Sequence, residues 1–385
     1  MSELPFDAAR LDALLADHGV DVLLATSPHS TRHLLGGYRF FLYDKLPSIG
    51  LTSYVPVLAY VPGRRDQAFY VGAGNEDWGT RAAPIWPEVH NVSWGAGDAA
   101  EHAAGLLRRR GLDGARIGVE AAYLPAEALQ ALQTALPAAQ IVDAAEPLEA
   151  LRAVKTADEL DLIRRSANAN VDAMLATFTA VRPGETTARI AERLRVEQTA
   201  RGLDFAYCLV AAGPRHDRAP SDQRVGVGDI VSLDSGTSYR GYVADCVRMG
   251  VVGEPTDRML ELLAEVDEVQ QAVRAAIRAG RRGGDLFEVA REEIARTQSR
   301  DRASFLVHGT GLLTHEAPRL TATGSPRYPA AHADDPLAAG MVLSVETHIA
   351  DPEVGFVKLE DTVIVTDDGP EAVGDHERGW NVIPT

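Results

Sequence analysis

Two stretches of this 385-residue chain share one pattern: GDIVSLD at residues 228–234 and GMVLSVE at residues 340–346. Each has a glycine, a variable residue, two aliphatic residues, a serine, an aliphatic residue and an acid. A short apolar run that follows a turn-forming glycine predicts a buried strand. Each stretch therefore predicts a strand that ends on a carboxylate, Asp234 in the first and Glu346 in the second.

A second acid follows each predicted strand, after a turn and another short apolar run. Asp245 comes after residues 242–244, YVA, and Glu360 comes after residues 356–359, FVKL. Glycines between the runs supply the turn signals. We therefore predict two hairpins with two carboxylates each, related by an internal duplication that brings them together about a pseudo-two-fold axis. Solvated acids at two unrelated strand ends are the ordinary alternative, but a matched pair of hairpins argues against it.

The four carboxylates and the imidazole of His308 form an oxygen-rich set of metal-binding side chains with a single nitrogen. Such a set suits two divalent cations side by side better than one structural zinc. Two neighbouring cations can lower the pKa of a bridging water and direct it at a carbonyl carbon. Mn, Co, Fe and Zn all tolerate these ligands, so the sequence does not select the metal. The predicted ligands are Asp234, Asp245, His308, Glu346 and Glu360.

Three motifs make the chain resemble the pita-bread metallopeptidases, the family of prolidase, aminopeptidase P and the creatinase-like proteins. They are the hairpin from Asp234 to Asp245, the run HGTG at 308–311 with HEAP at 315–318, and LEDT at 359–362. The resemblance covers nearly the whole chain. It implies an α/β fold with a small creatinase-like N-terminal α/β domain and a duplicated pita-bread catalytic domain. We place these domains at residues 1–150 and 151–385.

The resemblance also implies how the ligands are shared between the two cations. One cation would take Asp234, Asp245 and Glu360, and the other would take Asp245, His308, Glu346 and Glu360. Asp245 and Glu360 would then bridge the pair. Glu346 would also act in catalysis, accepting a proton from the attacking hydroxide and passing it to the leaving amine.

Three further residues are candidates for catalysis or substrate binding. The resemblance implies that His315 donates to the oxyanion of a tetrahedral intermediate and that Arg319 binds a substrate carboxylate through its planar fork. A surface histidine and a surface ion pair are the ordinary alternatives for these two. His216 lies near the place of a substrate-holding catalytic histidine, but residues 211–222 form a shorter segment than the family pattern has.

Several positions depart from the family's usual pattern and leave the substrate open. Thr347 and His348 follow Glu346 where Pro-Gly is common, Val247 stands where threonine is usual, and Lys358 stands where arginine is commoner. These changes are similar to those of less typical branches, such as ectoine-type hydrolases and a sulfonium-compound lyase. The favoured function is hydrolysis of an Xaa-Pro dipeptide or a small peptide. The alternatives are a same-fold enzyme acting on another small amide or a sulfonium acid, and a metal-binding scaffold without catalysis.

Composition and net charge limit the classes of molecule that the protein is expected to bind. The net charge of −17 disfavours nucleic acid and anionic membranes. Two cysteines, Cys208 and Cys246, give no disulfide framework and suit a reducing compartment. We find neither a leader pattern nor an apolar run that could span a bilayer. We therefore expect a cytoplasmic enzyme with a small-molecule or dipeptide substrate. The resemblance also implies that the protein is a homodimer. We expect the aromatic residues at 38–43 to contact the partner subunit.

Overall fold

The computed structural model describes residues 4–46, 48–321 and 330–385. The chain divides into two compact units, Met1–Arg152 and Ala153–Thr385. Both units combine helices with a sheet, which confirms the predicted α/β class. Among the described residues, none of the helices has both the length and the apolar character that a membrane span needs.

The N-terminal unit is built on a six-stranded mixed sheet, within its described residues, with the strand order β6-β5-β4-β1-β7-β8. Strands β2 and β3 pair separately. The strands are β1 (Val22–Ala25), β2 (Ser48–Ile49), β3 (Thr52–Ser53), β4 (Val57–Tyr60), β5 (Phe69–Ala73), β6 (Glu88–Ser93), β7 (Arg116–Val119) and β8 (Gln140–Asp143). The helices are α1 (Ala8–Asp17), α2 (Pro28–Leu34), α3 (Leu42–Lys45), α4 (Asp77–Ala82), α5 (Ala96–Arg109), α6 (Ala126–Ala135) and α7 (Ala145–Ala153).

Strand β1 shows why this sheet is covered on both faces. Val22 and Leu24 pack in one core with helices α5 and α6, while Leu23 and Ala25 pack in another with α1, α2 and α7. Successive side chains of a strand point to opposite faces, so a continuous apolar run has to be buried on both.

The C-terminal unit carries a larger sheet in which β10-β11-β12-β15-β14-β13 lie side by side. Strand β9 pairs with β11, β16 with β15 and β17 with β12. The strands are β9 (Asp204–Phe205), β10 (Leu209–Ala212), β11 (Ile230–Tyr239), β12 (Tyr242–Val252), β13 (Ala303–Gly309), β14 (Val342–Asp351), β15 (Gly355–Val365), β16 (Pro370–Val373) and β17 (Asn381–Ile383). The helices are α8 (Ala157–Ala180), α9 (Thr187–Ala200), α10 (Asp257–Ala276) and α11 (Asp285–Arg296).

Helix α8 begins with a capping box at Thr156. The Thr156 side chain accepts from the Glu159 backbone N–H, and the Glu159 side chain accepts from the Thr156 backbone N–H, which forms a capping box. Its inner face packs against the sheet through Ile163, Val171, Met174 and Phe178, all of them buried.

The two predicted hairpins are present as β11–β12 and β14–β15. They meet side by side, because β12 also pairs with β15. The duplicated sequence pattern therefore forms the centre of one sheet.

Candidate metal centre

The strand register places the acids of the first hairpin on the same face as Glu360. Residues that pair directly across two strands share a face, and so do residues two apart along one strand. Val247 pairs with Asp234 on one side and with Glu360 on the other. Asp245 lies two residues before Val247 on strand β12. The junction between the two hairpins therefore collects three carboxylates on one face.

The second hairpin and strand β13 add the other two predicted ligands to this face. Glu346 pairs directly with Glu360. His308 pairs with Ser344, which lies two residues before Glu346 on strand β14. All five predicted ligands therefore project from one face of the sheet, although they are spread over more than a hundred residues of sequence.

Three of these side chains come close enough to hold one ion together. Asp245, His308 and Glu360 are buried, and one ligand atom of each lies within 4.8 Å of the others. Glu346 lies beside them, with its Oε1 at 3.7 Å from His308 Nε2. Asp245 Oδ1 is buried and has no hydrogen-bond partner. A buried carboxylate oxygen without a donor is costly, so this donor set fits a divalent cation.

Burial and the repulsion between like charges raise the free energy of the ionised carboxylates when no cation is bound. Burial, together with the charges of Glu360 and Asp234, raises the pKa of Asp245 well above its usual range. Burial alone would lower the pKa of His308, but the nearby carboxylates of Glu360, Glu346 and Asp245 raise that pKa to about 9. Metal binding displaces protons from such groups, and a bound cation offsets the repulsion among the carboxylates.

Lys358 lies among the same carboxylates. Its Nζ is 2.8 Å from Asp234 Oδ2, 2.5 Å from Glu346 Oε2 and 2.8 Å from Glu360 Oε2. Arg218 also reaches Asp234 Oδ2, with its Nη1 at 2.8 Å. The sequence marked Lys358 only as a departure from the family pattern, whereas the structure gives it three carboxylate partners.

Two hydroxyl groups complete the surroundings of the cluster, and sequence reasoning missed both. Tyr207 donates to Asp245 Oδ2, and Ser344 donates to Glu360 Oε1 at 2.7 Å. Ser344 belongs to the duplicated pattern, which was a usable signal. Tyr207 packs over Gly236, where a Cβ would lie 2.5 Å from its ring, and Gly236 pairs with Asp245. The missing side chain at Gly236 therefore lets the Tyr207 ring approach Asp245.

His315 stacks on His308. Their ring centroids are 3.7 Å apart and the rings are 11° from parallel. Burial, reinforced by the neighbouring charge of His308, lowers the pKa of His315 to about 4. A neutral imidazole at this place can donate one hydrogen bond to a group bound beside the cluster.

A buried ion pair holds the loop that carries His315. Lys155 Nζ lies 3.0 Å from Glu316 Oε1, and both side chains are only 1% exposed. The Glu316 backbone N–H also donates to the Gly309 carbonyl at 3.0 Å. The residue after His315 is thus tied both to the entry of helix α8 and to the end of strand β13.

The two remaining candidates differ in their exposure. Arg319 is half-buried, and its charge contributes to the lowered pKa of His315. His216 is exposed on the loop after β10, and its charge acts on His348. The structure therefore stacks His315 on His308 and puts Arg319 within electrostatic range of His315, while the roles of Arg319 and His216 stay predictions.

Two family models match the sequence. The Creatinase/Prolidase N-terminal domain matches residues 8–154, and Metallopeptidase family M24 matches residues 161–367, just over half of the chain. These matches agree with the fold that the sequence motifs imply.

Individual relatives agree with the family models. The chain is 31% identical over 241 residues to the uncharacterized peptidase YqhT of Bacillus subtilis, over 61% of this chain and 66% of that one. It is 29% identical over 234 residues to an Xaa-Pro dipeptidase of Pyrococcus furiosus, over 59% of this chain and 65% of that one. Both matches thus span slightly less than two thirds of the relative's length.

A solved structure agrees over the whole chain. An Xaa-Pro dipeptidase from Bacillus anthracis has this fold with a TM-score of 0.80 and 24% identity, covering 97% of this chain and 98% of that chain. The resemblance inferred from the sequence motifs is confirmed, and the chain belongs to metallopeptidase family M24, with a creatinase-like N-terminal domain.

Proposed function

We propose that this protein is a divalent-metal-dependent hydrolase that cleaves an amide bond in a small substrate, a reaction similar in type to that of the Xaa-Pro dipeptidases among its relatives. The observation that carries the proposal is the buried group of Asp245, His308 and Glu360, with an unpartnered carboxylate oxygen, beside the stacked ring of His315. The sequence predicts two cations and leaves Mn, Co, Fe and Zn open. The number is a separate question, because Lys358 shares the carboxylates.

We assign metal binding, proton transfer and oxyanion stabilisation to different residues. Asp245, His308 and Glu360 would hold a cation, which when bound supplies a lowered water pKa and a polarised carbonyl. Lys358 pairs with Glu346 Oε2, so Oε1, which lies on the His308 side, would accept a proton and return it to the leaving amine. His315, whose pKa is lowered to about 4, would donate to the oxyanion as a neutral imidazole.

Arg319 supports a substrate with a carboxylate. Its charge acts on His315, so a carboxylate bound by its guanidinium group would lie near the reacting carbonyl. A dipeptide has this arrangement, with a free carboxylate close to the scissile bond. We therefore propose a small, carboxylate-bearing substrate.

A second candidate keeps the site and changes the substrate to a non-peptide amide or a sulfonium acid. Thr347 and His348 favour it, because they replace the usual Pro-Gly directly after Glu346. The His348 ring is tilted against Phe356, with centroids 4.7 Å apart. This neighbourhood differs from the usual peptidase pattern, so we expect weak or selective Xaa-Pro hydrolysis. Catalysis at either substrate distinguishes the protein from a metal-binding scaffold.

The experiment is a metal-reloading assay. Protein stripped with a chelator and reloaded with Mn or Co is tested against Xaa-Pro dipeptides, other dipeptides, small amides and sulfonium acids. A His308→Ala variant is the control for metal-dependent turnover, and metal content is measured on every sample. Turnover of a dipeptide or amide supports the proposal. Bound metal without turnover of any substrate would favour the scaffold.

The assembly and the location belong to the same proposal. We expect a cytoplasmic homodimer, with the aromatic residues at 38–43 at the contact. Phe41 in this stretch is 49% exposed, while Phe40 and Tyr43 are buried. Light scattering at micromolar concentration gives the mass, and a fully active monomer would exclude an active site shared between subunits.

A further inference from the structure

Donors from the chain itself already occupy the carboxylate oxygens at one end of the cluster. Asp234 Oδ2 accepts hydrogen bonds from Lys358 Nζ and from Arg218 Nη1, both at 2.8 Å. The same Nζ lies 2.8 Å from Glu360 Oε2 and 2.5 Å from Glu346 Oε2. Its side chain is 5% exposed, so these charges are desolvated together.

An ammonium group and a divalent cation cannot share this place. A cation bound to the same oxygens would lie about 2.0–2.2 Å from each of them, in the space that Nζ fills. It would also repel the ammonium group at short range in a buried setting. A cation at the Asp234 end therefore requires Lys358 to leave.

The two carboxylate oxygens of Asp245 differ in their partners. Its Oδ2 accepts from the Tyr207 hydroxyl, whereas its Oδ1 is buried and has no partner. Glu360 Oε2 faces Lys358, while its Oε1 lies 3.8 Å from His308 Nε2 and accepts from the Ser344 hydroxyl at 2.7 Å. The ammonium group of Lys358 thus takes one oxygen of Glu360. The oxygens that remain for one cation on the His308 side are Asp245 Oδ1, which has no partner, and Glu360 Oε1, whose chain donor is a neutral hydroxyl.

The charges balance with a single cation. Four ionised carboxylates carry four negative charges, which two divalent cations would offset. One divalent cation together with Lys358 and Arg218 offsets the same charge. The cluster therefore needs no second cation for neutrality.

We infer that this protein binds one divalent cation per chain, at Asp245, His308 and Glu360, and that the Lys358 side chain takes the place of the second cation. This inference deepens the proposed function, because it concerns the same site, and it replaces the two-cation prediction made from the sequence. Lys358 is then a positioning residue that holds Asp234, Glu346 and Glu360 in place of a metal.

The test is a count of bound metal. Chelator-stripped protein is titrated with Mn²⁺ by calorimetry, and bound Mn is measured by elemental analysis after gel filtration. The wild type should hold close to one ion per chain, and Lys358→Met should hold close to two. Arg302→Met is the matched control, because it removes one cationic side chain that pairs with Asp351 outside the cluster. The control should stay at one.

Each outcome has one meaning. Two ions in the wild type, or one ion in a folded Lys358→Met variant, would overturn the inference and leave the proposed function standing. A folded wild type that binds no Mn²⁺ would overturn the proposed function itself. Electron paramagnetic resonance of the Mn-loaded wild type gives a readout that does not depend on the variant folding. It should show the hyperfine pattern of an isolated ion, and a spin-coupled pair would contradict the inference.

Discussion

The substitution Glu316→Gln tests how the loop that carries His315 is held. It keeps the size of the side chain but leaves the ammonium group of Lys155 without its counter-charge at a site where both side chains are 1% exposed. At an effective dielectric constant of about 20, two unit charges at the observed 3.0 Å attract by about 5–6 kcal/mol. Removing one partner of a buried pair typically costs about 3–5 kcal/mol of unfolding free energy.

This loss converts into a large shift of the thermal midpoint. The pair lies in the unit Ala153–Thr385, and for domains of this size class 1 kcal/mol shifts the midpoint by about 2–4 °C. We therefore expect Glu316→Gln to unfold about 6–20 °C below the wild type. Circular dichroism with excess chelator measures this, because bound metal would otherwise add stability by mass action.

Two controls separate a buried charge from a general loss of packing. The double variant Lys155→Met with Glu316→Leu removes both charges and should recover most of the loss. Glu192→Gln breaks an exposed pair with Arg195, which solvent screens, and should leave the thermal midpoint close to that of the wild type. A midpoint for Glu316→Gln within about 2 °C of the wild type, or a double variant as unstable as the single one, would refute the reasoning.

The remaining predictions concern catalysis, the substrate and the thiols. His315→Ala should lower kcat by about 10²–10³-fold, the usual effect of one lost oxyanion donor, with the metal content unchanged; loss of metal instead would make His315 a ligand. Arg319→Ala should raise KM for a carboxylate substrate by a factor equivalent to about 1.5–3 kcal/mol and leave its amidated analogue little affected; equal effects on both would make Arg319 structural. Cys208 and Cys246 are buried, and burial raises the pKa of both thiols, that of Cys246 to about 12. A thiol reagent at pH 8 should therefore react with neither until the protein is unfolded in denaturant, and rapid labelling of the folded protein would contradict this.

The hairpins and the acids that they bring together could be predicted because each leaves a local signal. The duplicated pattern marks Asp234 and Glu346, and the capping box at Thr156 marks the start of helix α8. The role of Lys358 was also within reach, since it lies two residues before Glu360 on a strand and so shares its face. The sequence did not indicate how many carboxylates the ammonium group of Lys358 would contact.

Other partners of the cluster could not be predicted in this way. Tyr207 and Arg218 lie outside the hairpins and outside any repeated pattern, and they reach Asp245 and Asp234 only through the tertiary arrangement. His216 lies on an exposed loop, and its role stays a prediction. Loop length decides where such a side chain lies, and pattern matching does not measure it.

The direct pairing of Glu346 with Glu360 bears on whether the sheet folds before or after a cation binds. Like charges opposite each other across two strands oppose the pairing of those strands. Lys358 lies on the same strand as Glu360 and contacts both acids, so the chain carries its own counter-ion into the sheet. The sheet can therefore close on a newly made chain before any cation is captured. The supply of metal in the cell would then set the active fraction of a protein that folds without it, and bound metal would add stability to the folded form by mass action.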